Sequence, residues 1–131
     1  MFSLTTKSAY GLNLLITLAQ AKKRMPLRSV AVQTGMPYRF LTKIVRSLIV
    51  SGLIIAKEGK DGGYVLTRKP EQINLRQIFE ALNEPINTIL CQSSKGCPLG
   101  KGRGCKMKPV WLKIKKNIDK QLEEFNLREI L

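Results

Sequence analysis

Histidine is absent from all 131 residues. Without it the Ser-His and Cys-His pairs that activate most nucleophiles are unavailable, and no enzymatic activity is expected. Acid is scarce: nine Asp and Glu stand against 23 Lys and Arg, a formal net charge of +14. The first carboxylate in the chain is Glu58, whereas Lys7, Lys22, Lys23, Arg24, Arg28, Arg39, Lys43, Arg46 and Lys57 all precede it. A merely solvated surface mixes both signs. A stretch of one sign therefore points to a polyanionic partner, reached through long-range attraction to phosphate. An acidic membrane would attract the chain too, but it has no apolar run of about 18 residues. Met1-Phe2-Ser3-Leu4 is too short for a span or a cleavable leader. The expected location is the cytoplasm, with no membrane partner. Cysteine is sparse and odd in number, three residues between Cys91 and Cys105, which is no disulfide framework and suits a reducing compartment with metal or redox chemistry.

An apolar content of 44% is enough for one compact core with an appended arm. The most informative stretch runs from Met36 to Tyr64. From Tyr38 onward Leu41, Ile44, Val45 and Leu48 recur at helical spacing, and Arg39, Lys43 and Arg46 recur on the other side. Gly52 stops this helix, and Leu53-Ile54-Ile55 and Tyr64-Val65-Leu66-Thr67 flank Lys60-Asp61-Gly62-Gly63 as two strands flank a turn. Pro26 opens a shorter helix over Leu27 to Thr34, ended by Gly35. Helix, turn, helix and hairpin together predict a winged helix-turn-helix.

Thr5 or Thr6 caps a first helix from about Lys7 to Lys22, with Leu12, Leu15, Ile16 and Ala19 at helical spacing. Lys22-Lys23-Arg24 stands at the negative end of that helix dipole. After the hairpin, Pro70 breaks the strand and Asn74 caps a helix whose Leu75, Ile78, Phe79 and Leu82 share one face. Pro85 ends that run, and Ile86 to Leu90 leads to the cysteines. Pro109 starts a long helix in which Trp111, Ile114, Ile118, Leu122 and Phe125 stand three or four apart. Lys113, Lys116 and Lys120 fill its other face. A narrow apolar seam on a late helix predicts pairing with its twin, with Trp111 and Ile118 central, hence a homodimer on a palindromic double-stranded DNA operator. Asn126 to Leu131 reads as a last short helical turn.

Cys91, Cys97 and Cys105 follow a C-x5-C-x7-C spacing in a glycine-rich segment with five cations and no acid. Soft thiolates select zinc, copper(I) or iron–sulfur clusters. Zinc favours paired C-x2-C knuckles, which are lacking. Wider spacing in a glycine-rich loop suits a two-iron or four-iron cluster, whose negative charge the cations would offset. Inert or redox-active thiols remain the alternative.

These motifs, taken together, resemble the Rrf-type family of bacterial winged-helix regulators. The matching residues are Leu4-Thr5-Thr6-Lys7 with Tyr10, Met36-Pro37 with Phe40-Leu41, Gly59 with Gly62-Gly63-Tyr64, the three cysteines and the terminal helix. The resemblance spans essentially the whole chain. It implies a homodimeric bacterial regulator, with repression the expected direction, whose DNA affinity follows an iron–sulfur cluster on the three cysteines. A [2Fe–2S] cluster is expected over [4Fe–4S]. Where relatives place a fourth ligand, a histidine three residues after the last cysteine or an acid near the start of the partner's first helix, this chain has Lys108 and Ala9. Thr42 replaces a sequence-reading glutamate, and Glu58 replaces a basic wing residue.

The expected architecture is mainly α with a small β-hairpin wing: a winged helix-turn-helix over residues 1–84, a cysteine-containing cluster loop over 85–108, and a dimerisation helix with tail over 109–131. Arg39, Thr42 and Lys43 are expected nearest the bases; Arg28, Ser29 and Arg46 on phosphate; Lys57 and Lys60 along the minor groove. Tyr38 is expected to touch backbone, and Phe40 to join the core. Two alternatives are a repressor without a cluster, controlled by thiol redox, a small molecule or a partner protein, and a small iron–sulfur electron carrier with unspecific nucleic-acid affinity.

Overall fold

The computed structural model describes residues 5–82 and 105–131; Cys91, Cys97, the Ile86 to Leu90 run, Pro85 and the first four residues lie outside them. The Thr5 hydroxyl accepts the Ser8 amide at 3.1 Å and opens helix α1, Thr6–Ala21. Leu14, Leu15 and Leu18 are its buried apolar side chains, with Ser8 and Thr17 buried beside them, while Leu12, Ile16 and Ala19 pack at the edge of the core. The inward stripe is thus turned from the Leu12, Leu15, Ile16, Ala19 face expected above. The helix is apolar on nearly all sides, so spacing alone does not select which stripe turns inward.

Lys22 closes α1 in the left-handed conformation, φ 53°. Helix α2, Leu27–Thr34, begins at Pro26 and ends at Gly35, whose left-handed φ of 74° lets its amide reach the Ala31 carbonyl at 2.9 Å. Helix α3, Tyr38–Val50, buries Leu41, Ile44, Val45 and Leu48, the four residues that periodicity selects. Met36 in the turn between α2 and α3 is buried with them.

The wing is the antiparallel pair β1, Ile54–Lys57, and β2, Gly63–Leu66, in which Ile54 faces Leu66 and Lys57 faces Gly63. The Gly62 amide donates to the Gly59 carbonyl at 3.0 Å. The tip is therefore Gly59-Lys60-Asp61-Gly62, one residue earlier than the sequence suggests. At the base the Thr67 hydroxyl donates to the Gly52 carbonyl at 2.6 Å and its amide to Leu53 at 3.0 Å. A third segment joins the sheet at one residue: Met25 and Tyr64 exchange amide and carbonyl hydrogen bonds of 3.1 and 2.8 Å. This close approach requires glycine at position 63, where φ is 147° and a Cβ would stand 2.4 Å from the Met25 carbonyl carbon.

After a 3-10 turn at Pro70–Gln72, Asn74 caps helix α4, Leu75–Ala81, in a reciprocal box: Asn74 Oδ1 accepts from the Gln77 amide at 2.9 Å and Gln77 Oε1 from the Asn74 amide at 3.0 Å. Helix α5, Lys108–Glu124, lies on α4 and ends before a terminal 3-10 turn, Leu127–Ile130. That turn returns the chain to the core formed by α1 to α4. Leu127 is fully buried in the same core as Leu14, Ile73 and Leu82. Backbone bonds from Leu75 to Phe125 (2.9 Å) and from Leu127 to Ile73 (2.8 Å) hold it there.

Candidate nucleic-acid interface and cysteine site

The first turns of α2 and α3 meet at one place. The Arg28 guanidinium stands over the Tyr38 ring, 5.7 Å from its centroid, a cation–π contact that fixes the start of α2 beside the start of α3. Tyr38, Arg39, Thr42 and Lys43 are all exposed, as are Arg28 and Ser29. The Thr42 hydroxyl donates to the Arg39 carbonyl at 2.7 Å, leaving its lone pairs as acceptors. Phe40 departs from expectation: it is 43% exposed, with its ring edge to face with Tyr10 of α1 at 5.6 Å and 87°. The four buried positions of α3 already fill the core side, so Phe40 spreads along the seam between α1 and α3, beside Lys7 and Lys43. Arg46 is exposed one turn beyond Lys43 and borders a hollow shared with Glu80 of α4, a less uniformly basic setting. Lys57 and Lys60 stand exposed at the end of β1 and on the wing tip.

Charge separates the two ends of the molecule. Among the described residues every ion pair lies between positions 71 and 129: Arg76 with Glu80 at 3.0 Å and with Glu123, Lys115 with Asp119 at 2.8 Å, and Arg128 with Glu71. Hydrogen bonds from Glu123 and then Glu80 hold the Arg76 guanidinium above its ordinary pKa. A backbone hydrogen bond and then Arg128 hold the Glu71 carboxyl below its own. No described cation of α1, α2, α3 or the wing is in such a pair, and Glu58 and Asp61 on the wing are the only acids among these elements, so the local field is strongly positive.

Two cations that the sequence reading left at a helix end have a different setting. The left-handed Lys22 and the Met25–Tyr64 pairing bring Lys23 and Arg24 alongside the wing. There they line an open groove of about 850 Å³ with Ser29, Lys60, Asp61 and Gly62. The signal that places them is a pairing distant in sequence, which local patterns do not carry.

Of the three cysteines only Cys105 is among the described residues. It is half-buried and in no disulfide, and its carbonyl accepts the Lys108 amide at 3.3 Å, which ties it to the first turn of α5. No three His, Cys, Asp or Glu side chains converge among the described residues. Lys108 and Ala9 are both exposed.

The sequence model of the Rrf2 family, described as an iron-dependent transcriptional regulator, matches residues 4–131. The chain belongs to the Rrf2 family. Among similar proteins, Protein rrf2 of Nitratidesulfovibrio vulgaris is 28% identical over 130 residues, 98% of this chain and 86% of its own length. The HTH-type transcriptional regulator IscR of Aliivibrio salmonicida is 25% identical over 130 residues, 98% of this chain and 76% of its own. Two solved structures of similar shape are CymR, the global cysteine regulator of B. subtilis, and T. potens IscR. CymR has a TM-score of 0.76 at 26% identity over 99% of this chain and 96% of its own. The IscR values are 0.73 and 27%, over 98% and 85%. This Rrf2 chain is accordingly a winged-helix transcriptional regulator, related to regulators rather than enzymes. Among its described residues no helix is long and apolar enough to cross a membrane.

Proposed function

We propose that this Rrf2 regulator is a sequence-specific repressor that binds a palindromic duplex operator as a homodimer, with its DNA affinity set by an iron–sulfur cluster on Cys91, Cys97 and Cys105. The observation that carries the DNA reading is the cationic surface, without ion pairs among the described residues, formed where α2, α3 and the wing come together. On this reading α3 enters the major groove, with Arg39, Thr42 and Lys43 on base edges. Arg28, Ser29, Tyr38 and Arg46 hold the phosphate backbone, and Lys57 and Lys60 set the wing along the minor groove. The dimer reading is supported by α5. None of its residues is buried in the protomer, and Val110, Trp111, Leu112 and Ile114 are each more than a third exposed. Such a helix is the natural seam of a two-fold pair.

The donor set fits an iron–sulfur cluster in part. Three thiolates are the ligand type, and a half-buried Cys105 beside the cations Lys106 and Lys108 suits an anionic group. Without histidine the fourth position falls to a carboxylate, a backbone group, water or a small thiol, so the cluster would be labile. When bound, the group supplies sensitivity to oxygen, nitric oxide or cellular cluster supply. The chain's own part is to transmit. Cys105 is joined to the first turn of α5, α5 lies on α4, and the tail beyond α5 is seated in the core against α1 and the Pro70–Gln72 turn. A change at Cys105 therefore reaches both the dimer seam and the DNA-binding domain.

A second reading, thiol control without a cluster, is favoured by the likeness to Staphylococcus aureus CymR, whose structure is known in an oxidized form, and by the free thiol of Cys105. Anaerobic purification with iron and sulfide analysis and a visible spectrum separates the two. A brown protein that loses iron and sulfide when any one of the three cysteines is changed to Ala supports the cluster. A colourless protein after anaerobic reconstitution rejects it in favour of thiol control.

A further inference from the structure

We propose that the groove between the α1–α2 connection and the wing is a seat for one phosphodiester strand of DNA, with Lys23 and Arg24 as its basic wall. This rests on the DNA-binding reading above and adds residues to it. With α3 in a major groove and the wing in the neighbouring minor groove, one sugar-phosphate strand must pass between them. On the side of the wing formed by the α1–α2 connection and the start of α2, the molecule has an opening along which such a strand can run. The groove, about 850 Å³, is walled on one side by Lys23, Arg24 and Ser29 and on the other by Lys60, Asp61 and Gly62.

The backbone explains why the two walls keep their spacing. Met25, next to Arg24, is hydrogen-bonded both ways to Tyr64 of the wing, at 3.1 and 2.8 Å. The Lys23-Arg24 wall and the wing therefore move as one piece. Ser29, in the first turn of α2, adds a hydroxyl donor, and the uncapped start of α2 at Pro26 turns its positive end the same way. Three cations and one acid give the groove a net charge of about +2, and no described carboxylate pairs with Lys23, Arg24 or Lys60. Asp61 is the one wrong-signed group. It weakens the seat, which makes it the most useful residue for a test.

The probe is a labelled random-sequence DNA duplex, titrated with the intact protein across a salt series. Lys23→Gln with Arg24→Gln removes two phosphate contacts, so the slope of log affinity on log salt should flatten by about 1.8. Over a fourfold rise in salt the wild type should then lose about twelvefold more affinity than the variant. Lys113→Gln with Lys116→Gln, the same charge change on α5, should leave the slope at the wild-type value. Asp61→Asn should tighten binding to the random duplex, a gain that misfolding does not produce. A wild-type slope in the Lys23, Arg24 variant, an equal flattening from the α5 variant, or no gain from Asp61→Asn overturns the seat while leaving the DNA reading intact. Failure of the wild type to bind the duplex at any salt overturns both.

Discussion

Replacing Gly63 by Ala tests whether the wing is fastened to the α1–α2 connection as the structure has it. Gly63 lies at φ 147°, and an added Cβ would meet the Met25 carbonyl carbon at 2.4 Å, its oxygen at 2.6 Å and Pro26 N at 2.7 Å. All three are backbone atoms, so no flexible side chain can give way. Strain in this glycine-only region costs about 1–3 kcal/mol. If the Met25–Tyr64 pair opens to relieve the clash, two hydrogen bonds add about 0.5–1.5 kcal/mol each. The total is about 2–6 kcal/mol, a large share of a small domain's stability. Gly59→Ala is the matched control, because φ there is 113° but nothing lies within 4 Å of the new Cβ. It carries the backbone strain alone. Urea unfolding should therefore place Gly63→Ala below Gly59→Ala by at least about 1 kcal/mol, and hydrogen exchange at the Met25 and Tyr64 amides should speed up only in the former. Equal destabilisation, or protected amides in Gly63→Ala, would refute the fastening and with it the fixed groove.

Arg39→Ala and Lys43→Ala should each weaken operator binding by about 1–3 kcal/mol and relax sequence preference, whereas Lys57→Ala should weaken all sequences alike and flatten the salt slope; anisotropy titrations against operator and random duplex distinguish them, and an unchanged operator affinity in the Arg39, Lys43 double variant would sink the docking. Trp111→Asp, at a side chain 39% exposed in the protomer, should leave helix content intact but convert a dimer to monomers by burying a charge at the seam; a variant still dimeric in light scattering contradicts that seam. Glu71 gives a pH test. Its carboxyl is held below the ordinary value by a backbone hydrogen bond and Arg128, so its stabilisation is present at neutral pH and is lost as pH falls through the lowered folded value. Glu71→Gln should therefore narrow its stability gap to wild type on acidification, and a gap that widens there reverses the sign.

Much of the first domain is legible in the sequence because its boundaries are set by residues with local backbone consequences. Pro26 and Gly35 bound α2, Asn74 starts α4, and the spacing of Leu41, Ile44, Val45 and Leu48 fixes the inner face of α3. What is not legible depends on packing between distant segments. The stripe of α1 that faces inward is chosen by what packs on it, not by its own nearly uniform apolar surface. Leu127 has apolar Ile130 and Leu131 at helical spacing, yet those two are exposed and Leu127 alone is fully buried, a choice made by the distant segments it packs on; its removal to Ala would cost about 2–5 kcal/mol. Phe40 is apolar but one position off the buried stripe, so composition places it inside and geometry places it on the seam with Tyr10. The exposure of Arg39 and Lys43 follows from their spacing against the buried stripe of α3, whereas Lys23 and Arg24 gain their setting only through the Met25–Tyr64 pairing.

On the function proposed above, this winged helix reads a palindromic DNA sequence under the control of its three cysteines. Selection from a randomised duplex pool, carried out with anaerobically purified protein and repeated after exposure to air, tests it directly. The account predicts a two-fold symmetric consensus bound about 10³-fold or more above random duplex, with its recovery changed by air in wild type and unchanged by air when Cys91, Cys97 and Cys105 are replaced by Ala. A pool that stays random, or a consensus recovered equally before and after air in wild type, would contradict it.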